Sequence, residues 1–598
     1  FVRDLKHRGP DGDGTKVLEA GEVRVGLAHA RLAILDLSPA GAQPMERDGL
    51  WIAFNGEIYN HLELRKQLPP CPYRSTSDTE TILCGWRTWG ADLLPRLEGM
   101  FAFALFDARA RELWLARDPL GIKPLYVAET PAGVAFASEV RALLNANWVP
   151  PRLDRDGLES YLAFGAAIAP RTLVAGVESV MPGSAWRISC EREPRPIEKR
   201  RFWNPPTRTE PMTREDAVRK LRPLLARACE SHMLSDVPVG AFLSGGIDSS
   251  AVVATLAAAG KSLDTFSVTF GEKRFDESRY AAAVAKKYGT RHHELPLSPA
   301  AALADYPAAI AAYDQPSLDG VNTWFVARVT RAAGATVALS GLGGDEFFAG
   351  YPYFRWADRI ARLPSPARRA LALGLKAAGA RPRYRKLAAL AAADGPVDRY
   401  LACRTLFDER TRRVLVPNAA NPTPAEWRAE AEEWTRELDP VAAHSLLEAS
   451  HYMANTLLRD GDQMSMAHAL EVRVPLLDRP LVEAAARIPG RLRLERGSLG
   501  PIKGLLVDSV PTPLPREIVD RPKMGFVLPF GKWLRGELRD FAAETMEKRE
   551  IWEGLGFDPG SVNAVWTRFL EGRGGDRPTE AMALLHLGSW AARHRVRS

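Results

Sequence analysis

Two glycine-rich stretches carry residue types suited to phosphate chemistry. In FLSGGIDSS (242–250) an apolar run ends at Leu243, Ser244, Gly245 and Gly246 form a turn, and a helix is expected to begin near Asp248, Ser249 and Ser250. Glycines let a backbone approach a polyanion closely, and a helix N-terminus offers free N–H groups and a positive dipole end. The expected ligand is a phosphate or pyrophosphate. Asp248 would repel it unless Mg²⁺ lay between them. A second stretch, VALSGLGGDEFFAGYP (337–352), packs glycines around the adjacent acids Asp345 and Glu346, with an apolar residue, Leu342, among them. A carboxylate from a separate loop could complete a metal clamp on bridging phosphates. A lone SGG reads more readily as a glycine turn capped by Asp and Ser. The spacing SGGxDSS is more specific, and without a following G-K-[ST] it is not a Walker A loop.

These loops need frames to hold them. A chain of 598 residues is too long for one hydrophobic core, so at least two domains are expected. From 22 to 140, short β-rich runs alternate with turn signals, interrupted by one helix, SDTETILCGWRTWGADLLPRL (77–97). This predicts a strand-rich α+β layer domain over 1–190. Residues 191–212, rich in Pro and charge without an apolar period, read as a linker. Over 213–598 the grammar changes to strand, glycine turn, helix, strand, which is that of a parallel α/β sheet. From about Phe354 the chain is Ala/Leu/Arg-rich and expected to be helical.

Composition narrows the function classes. The 80 basic and 73 acidic residues are interspersed, so a net charge of +7 is weak support for nucleic-acid binding and fits a polyanionic small substrate equally well. Five cysteines (71, 84, 190, 229 and 403) form no CxxC pair and no metal-ligand spacing with the histidines, which predicts reduced thiols, no structural zinc and a cytoplasmic protein. No run of 18 apolar residues and no N-terminal h-region occurs, so no membrane association is expected.

The loop SGGIDSS resembles the pyrophosphate loop of the ATP pyrophosphatase superfamily. Taken with HRGPDG (7–12), ARLAILDLSPAGAQPM (30–45), FNGEIYNH (54–61), SDTETIL (77–83), EGMFAFALFD (98–107), ARDPLGIKPLY (116–126), SGLGGDEFFAGYP, MSMAHALEVRVPLLD (464–478) and RPKMGF (521–526), the chain resembles the glutamine-dependent asparagine synthetases over nearly its whole length. The resemblance implies an N-terminal-nucleophile (Ntn) glutaminase followed by an ATP-dependent synthetase, with ammonia passing between them through an internal channel, and a homodimer as the assembly. It places Arg31 on the glutamine carboxylate and Asn55, Gly56, Glu57 and Asp78 on its amide and amino ends. A guanidinium fork suits a carboxylate, and an acid such as Asp78 suits an ammonium. Asn55 with the Gly56 amide could form an oxyanion hole, although FNGE alone reads equally as a hairpin turn. In the synthetase it assigns Ser244, Gly245, Gly246, Asp248, Ser249 and Ser250 to pyrophosphate and Mg²⁺. Phe242 and Val268 would flank adenine, Ser340 and Gly341 lie near AMP, Asp345 ligate the metal, and Lys523 contact the α-phosphate. The cofactors implied are ATP and Mg²⁺, and the substrates glutamine, ATP and aspartate or another carboxylic acid.

Three features depart from that pattern. The family nucleophile is a cysteine at residue 1 of the mature protein, whereas this sequence starts at Phe1. The expectation is that the cysteine lies upstream, with use of free ammonia as the alternative. The family carries an acid at the position of Leu342, thought to steer or deprotonate the attacking ammonia, and leucine can do neither. A site that is often basic reads Gln463. Either Leu342 is a packing variant or the acceptor is a carboxylate other than aspartate. Glu471, Arg473 and Asp478 are expected near the site, Arg473 in a partly structural role and Glu471 facing substrate.

Overall fold

The computed structural model describes residues 1–191, 196–270, 277–377, 382–417, 420–494, 502–521, 528–572 and 578–598. In its first third, three antiparallel sheets stack in layers. A hairpin pairs β1 (Gly12–Ala20) with β2 (Val23–Arg31). A six-stranded sheet runs β11 (Ile197–Arg201), β10 (Ser184–Ser189), β6 (Glu112–Arg117), β5 (Gly99–Asp107), β4 (Leu50–Ile58), β3 (Met45–Arg47). A third sheet pairs β7 (Tyr126–Thr130) with β8 (Gly133–Ala137) and β9 (Val177–Ser179). The period of two along β5 sets the layering. Phe101, Phe103 and Leu105 pack with Ile82, Leu83 and Trp86 of the helix Asp78–Trp89, while Ala102, Ala104 and Phe106 pack with Val23, Val25 and Leu27 of β2 and Val127 of β7. Both faces of β5 are therefore core.

Several local expectations change. FNGE is strand and not turn: Asn55, Gly56 and Glu57 end β4 opposite Ala102, Phe101 and Met100. The expected helix 77–97 starts on Ser77, whose side chain accepts from the Thr79 N–H, and breaks at Gly90, where φ is +55°. A 3₁₀ turn, Gly90–Arg96, follows. Within the expected linker, Ile197–Arg201 forms the edge strand β11, paired with β10 from Ile188↔Ile197 to Ser184↔Arg201. Its three central residues face solvent, which is why the segment shows no apolar period. Cys71 and Cys84, expected as thiols, are joined in a disulfide, because the chain before the helix folds back along it.

The second half is built on a parallel sheet ordered β14 (Arg291–Leu297), β13 (Asp264–Phe270), β12 (Val239–Phe242), β15 (Val337–Leu339), β16 (Glu471–Arg473). β16 is a three-residue strand inside the region expected to be helical. The helices that follow do not stand alone: Tyr161, Leu162 and Leu173 share one core with Trp552, Trp566 and Trp590, and the Tyr161 hydroxyl donates to the Ala583 carbonyl at 2.7 Å. Among the described residues no helix is long and apolar enough to cross a membrane.

Candidate active sites

The end of β4, the end of β2 and the start of the helix Asp78–Trp89 converge on a pocket of about 120 Å³, lined by Arg31, Asn55, Gly56, Glu57 and Asp78 among others. All five residues assigned to glutamine thus meet in one place. Arg31 donates to the Ser38 carbonyl at 3.0 Å and to the Asp36 carbonyl. A Cβ on Gly41 would lie 2.5 Å from its Nη2, so the glycine makes room for the guanidinium. Gly56 has φ +144°, and a Cβ there would come within 2.0 Å of the Met100 carbonyl oxygen. Asp78 accepts from the Ile58 N–H at 2.8 Å, and burial pushes its carboxyl up to about 6. Burial likewise raises Glu57 well above the ordinary range, against the opposing Arg473 guanidinium. Among the described residues three buried polar atoms on the lining have no hydrogen-bond partner: Glu57 Oε2, Asn55 Nδ2 and His29 Nδ1. An acceptor and a donor left so match an ammonium and a developing oxyanion.

Sequence reasoning missed His29 and Gln43 on the wall of this pocket. The His29 ring nitrogen Nε2 lies 3.1 Å from the Phe54 carbonyl and burial lowers its pKa to about 4, so it is a neutral wall. Gln43 accepts from the Phe54 N–H at 2.7 Å and donates to Thr79 Oγ1 at 3.3 Å, which ties β4 to the helix bearing Asp78. GAQPM held the signal for Gln43; nothing in the spacing distinguished His29.

The second pocket, of about 370 Å³, opens where β12 and β15 end. Its lining includes Phe242, Ser244, Gly246, Asp248, Ser249, Ser340, Gly341 and Asp345. Gly246 is the N-cap of the helix Ile247–Ala258, so the phosphate loop has the predicted strand–turn–helix form. Gly245 turns at φ +67°, with its missing Cβ 2.5 Å from Tyr280 Cβ. Ser250 is fully buried behind the loop. Val268, on β13, packs toward the helical core and is not among the pocket's lining residues. Lys523 lies outside the described residues.

The glycines of the second loop serve its acids. A Cβ on Gly341 would lie 2.7 Å from Asp248 Cβ, on Gly344 2.2 Å from Asp248 Oδ1, and on Gly350 2.0 Å from Asp345 Oδ1. This cradle fits two carboxylates drawn together over one cation. Among the described residues no three His, Cys, Asp or Glu side chains cluster as metal ligands. A Mg²⁺ here would take one or two carboxylates and complete its shell with phosphate oxygens and water, as this ion does. Lys503, which sequence reasoning missed, stands between the acids: its ammonium contacts Asp248 and lies 2.8 Å from Asp345 Oδ1. Burial works against that charge, but the two carboxylates more than offset it and hold the lysine above its ordinary pKa. Arg521 also lines the pocket, paired to Glu277 at 2.8 Å, and its buried Nη1 has no hydrogen-bond partner among the described residues.

The adjacent acids divide. Asp345 faces the pocket, while Glu346 turns into the core, accepts from the Tyr351 hydroxyl at 2.7 Å, and is pushed to about 7 by burial and then by Asp345. Leu342 is half-buried, lining the second pocket and packing on the core beneath it. Gln463 is away from this pocket, buried, donating to the Ala312 carbonyl at 3.3 Å. Glu471 lines the first pocket and not the second. Asp478 is buried and is pushed to about 7 by burial and then by Glu98.

A layered antiparallel part with one pocket that gathers a guanidinium and carboxylates, packed on a parallel sheet whose own pocket is edged by a glycine turn, a helix start and two acids, defines a two-site architecture. Residues 1–203 match the glutamine amidotransferase domain model and residues 220–592 the asparagine synthase model. The chain is 32% identical over 560 residues to asparagine synthetase [glutamine-hydrolyzing] 1 of Bacillus subtilis (strain 168), covering 91% of this chain and 86% of that one. It is 30% identical over 547 residues to asparagine synthetase [glutamine-hydrolyzing] 3 of the same organism, covering 87% and 82%. A Penicillium rubens amidase is 29% identical over 609 residues, covering 92% and 87%. The chain belongs to the glutamine-hydrolysing asparagine synthetase family, whose members are ATP-using carbon–nitrogen ligases.

Proposed function

We propose that the protein converts aspartate, glutamine and ATP to asparagine, glutamate, AMP and pyrophosphate. The observation that carries this reading is the convergence of Ser244, Gly246, Asp248, Ser249, Ser340, Gly341 and Asp345 on one pocket in a chain of this family. The acceptor carboxylate attacks the α-phosphorus of ATP and pyrophosphate leaves, giving an acyl-adenylate. Ammonia then attacks the acyl carbon, AMP leaves, and the amide remains. Adenylation turns a poor leaving oxygen into a good one, and a closed site shields the intermediate from water. The phosphate loop supplies N–H groups to the pyrophosphate, and Arg521, whose buried Nη1 has no hydrogen-bond partner among the described residues, is suited to the same group. Asp248 and Asp345 would hold Mg²⁺, which when bound neutralises charge on the departing pyrophosphate.

In the other pocket, Arg31 would take the glutamine carboxylate, Glu57 and Asp78 its ammonium, and Asn55 with Gly56 the oxyanion formed during hydrolysis. These residues account for binding and charge stabilisation; the attacking cysteine is not among them.

Leu342 favours a second reading, the same ligase chemistry on another carboxylate, because it puts an alkyl wall in the nucleotide pocket where the family pattern has an acid. A panel of carboxylic acids with MgATP and ammonium, followed by pyrophosphate release and amide identification, separates the two. Asparagine formation with aspartate supports the first; release only with other acids overturns it.

A further inference from the structure

Arg473, which lines neither pocket, contacts one lining residue of each. The Arg473 guanidinium, wholly buried, pairs with Glu57 Oε1 at 3.1 Å and with Glu471 Oε1 at 2.8 Å, and donates to the carbonyls of His232 at 2.9 Å and Leu234 at 2.6 Å. Its own carbonyl accepts from the Ser340 N–H at 2.8 Å, where β15 leaves the sheet for the nucleotide loop. Glu57 lines the glutamine pocket and Ser340 lines the nucleotide pocket. One residue therefore holds a wall residue of each pocket, Glu57 by its side chain and Ser340 by its main chain.

The charges around it are unbalanced. Glu57, Glu471 and Asp78 approach one another beneath the glutamine pocket, and the cations beside them are Arg473 and Lys123, the latter 3.7 Å from Glu471 and 3.1 Å from Asp462. Counting Asp462 and Arg8, which holds it at 2.6 Å, four carboxylates face three cations, and among the described residues Glu57 Oε2 has no hydrogen-bond partner. A ligand ammonium at that oxygen would restore balance and leave Glu57 fully charged toward Arg473. The guanidinium donates to three acceptors, Glu471 and the two carbonyls, and meets Glu57 as an ion pair, so it has little freedom and a change at one partner is felt by the others.

We propose that Arg473 is a positioning residue that couples the two active sites: an ammonium-bearing ligand at Glu57 fixes the Arg473 guanidinium, which in turn fixes Ser340 and tightens the nucleotide site. The inference rests on the reading of the pockets as glutamine and MgATP sites. By linkage the nucleotide must then tighten glutamine by the same factor.

The test is isothermal titration of the full chain with MgATP, without any acceptor acid, in the presence and absence of saturating L-glutamine. The readout is the ratio of the two dissociation constants, which a general loss of folded protein or of affinity would leave unchanged. The wild type is expected to bind MgATP about fivefold or more tightly with glutamine present, at the low end of measured couplings. In Arg473→Lys the ratio is expected within twofold of one, with glutamine binding followed in the same instrument to show that its pocket is filled. Should that variant fail to fold, Glu57→Gln leaves the other Arg473 bonds in place and is expected to give the same flattened ratio at saturating glutamine. A wild-type ratio of one, or a wild-type ratio retained in the variant, overturns the coupling. Absence of MgATP or glutamine binding by the wild type would instead overturn the reading of the sites.

Discussion

Replacing Lys503 by Met removes the ammonium that lies between Asp248 and Asp345 and keeps most of the side-chain volume. At the 2.8 Å separation from Asp345 the gross attraction is about 6 kcal/mol for an effective dielectric near 20. Desolvation of the lysine offsets much of this, and breaking a buried pair typically costs about 3–5 kcal/mol. Each acid retains about a fifth of its side-chain exposure, so solvent screening places the loss at the low end, about 3 kcal/mol. At ~2 °C per kcal/mol for a large domain, the variant should melt about 6 °C lower in EDTA. A divalent cation can then take the vacated place, and Mg²⁺ at a hundredfold over its dissociation constant would return about 2.7 kcal/mol. Wild type should respond little to Mg²⁺ without nucleotide, because the tethered ammonium already occupies the carboxylates. Differential scanning fluorimetry in EDTA and in a Mg²⁺ series reads both effects. Equal melting of wild type and variant in EDTA, or equal stabilisation of both by Mg²⁺, would refute the counter-ion role.

Gly350→Ala places a Cβ 2.0 Å from Asp345 Oδ1 and 2.2 Å from Lys503 Cε, so MgATP affinity should fall more than tenfold in a titration while glutamine binding persists. Unchanged MgATP affinity would mean that the cradle is not needed. Asp78 titrates near 6, above its ordinary 3.8, and must be ionised to hold an ammonium. Glutamine affinity should therefore weaken as pH falls through 6, by up to about tenfold per unit, and flatten in Asp78→Asn. The contribution of the same group to stability has the opposite sign: the folded state binds this proton more tightly, so that stability is present at low pH and is lost as pH rises from about 4 through 6. A flat glutamine profile in wild type would remove Asp78 from the ammonium site.

The strand–turn–helix form of FLSGGIDSS was legible because its signals are local: glycine turn, helix start and acid follow one another within nine residues. FNGE was ambiguous because a hairpin and a strand end share its composition; the partner that decides it, Phe101–Ala102, lies more than forty residues away. β11 was hidden for the opposite reason, since an edge strand with exposed side chains carries no apolar period. Lys503 belongs to its candidate site only through a distant partner, Asp248, and a lysine in isolation reads as solvated surface; Arg473 was expected near the site, but its partner Glu57 is more than four hundred residues away. The glycines of GLGGDEFFAG were read as an approach for nucleotide, whereas Gly344 and Gly350 mainly clear space for Asp248 and Asp345.

The proposed ligase chemistry requires that a carboxylate be activated as an acyl-adenylate before ammonia attacks. Aspartate labelled with ¹⁸O in its β-carboxylate, incubated with glutamine or ammonium and MgATP, tests it directly by mass spectrometry of the nucleotide product. Passage through the acyl-adenylate gives asparagine and AMP in equal amounts, with one ¹⁸O transferred to the AMP phosphate. Unlabelled AMP, or ADP and phosphate in its place, would contradict it.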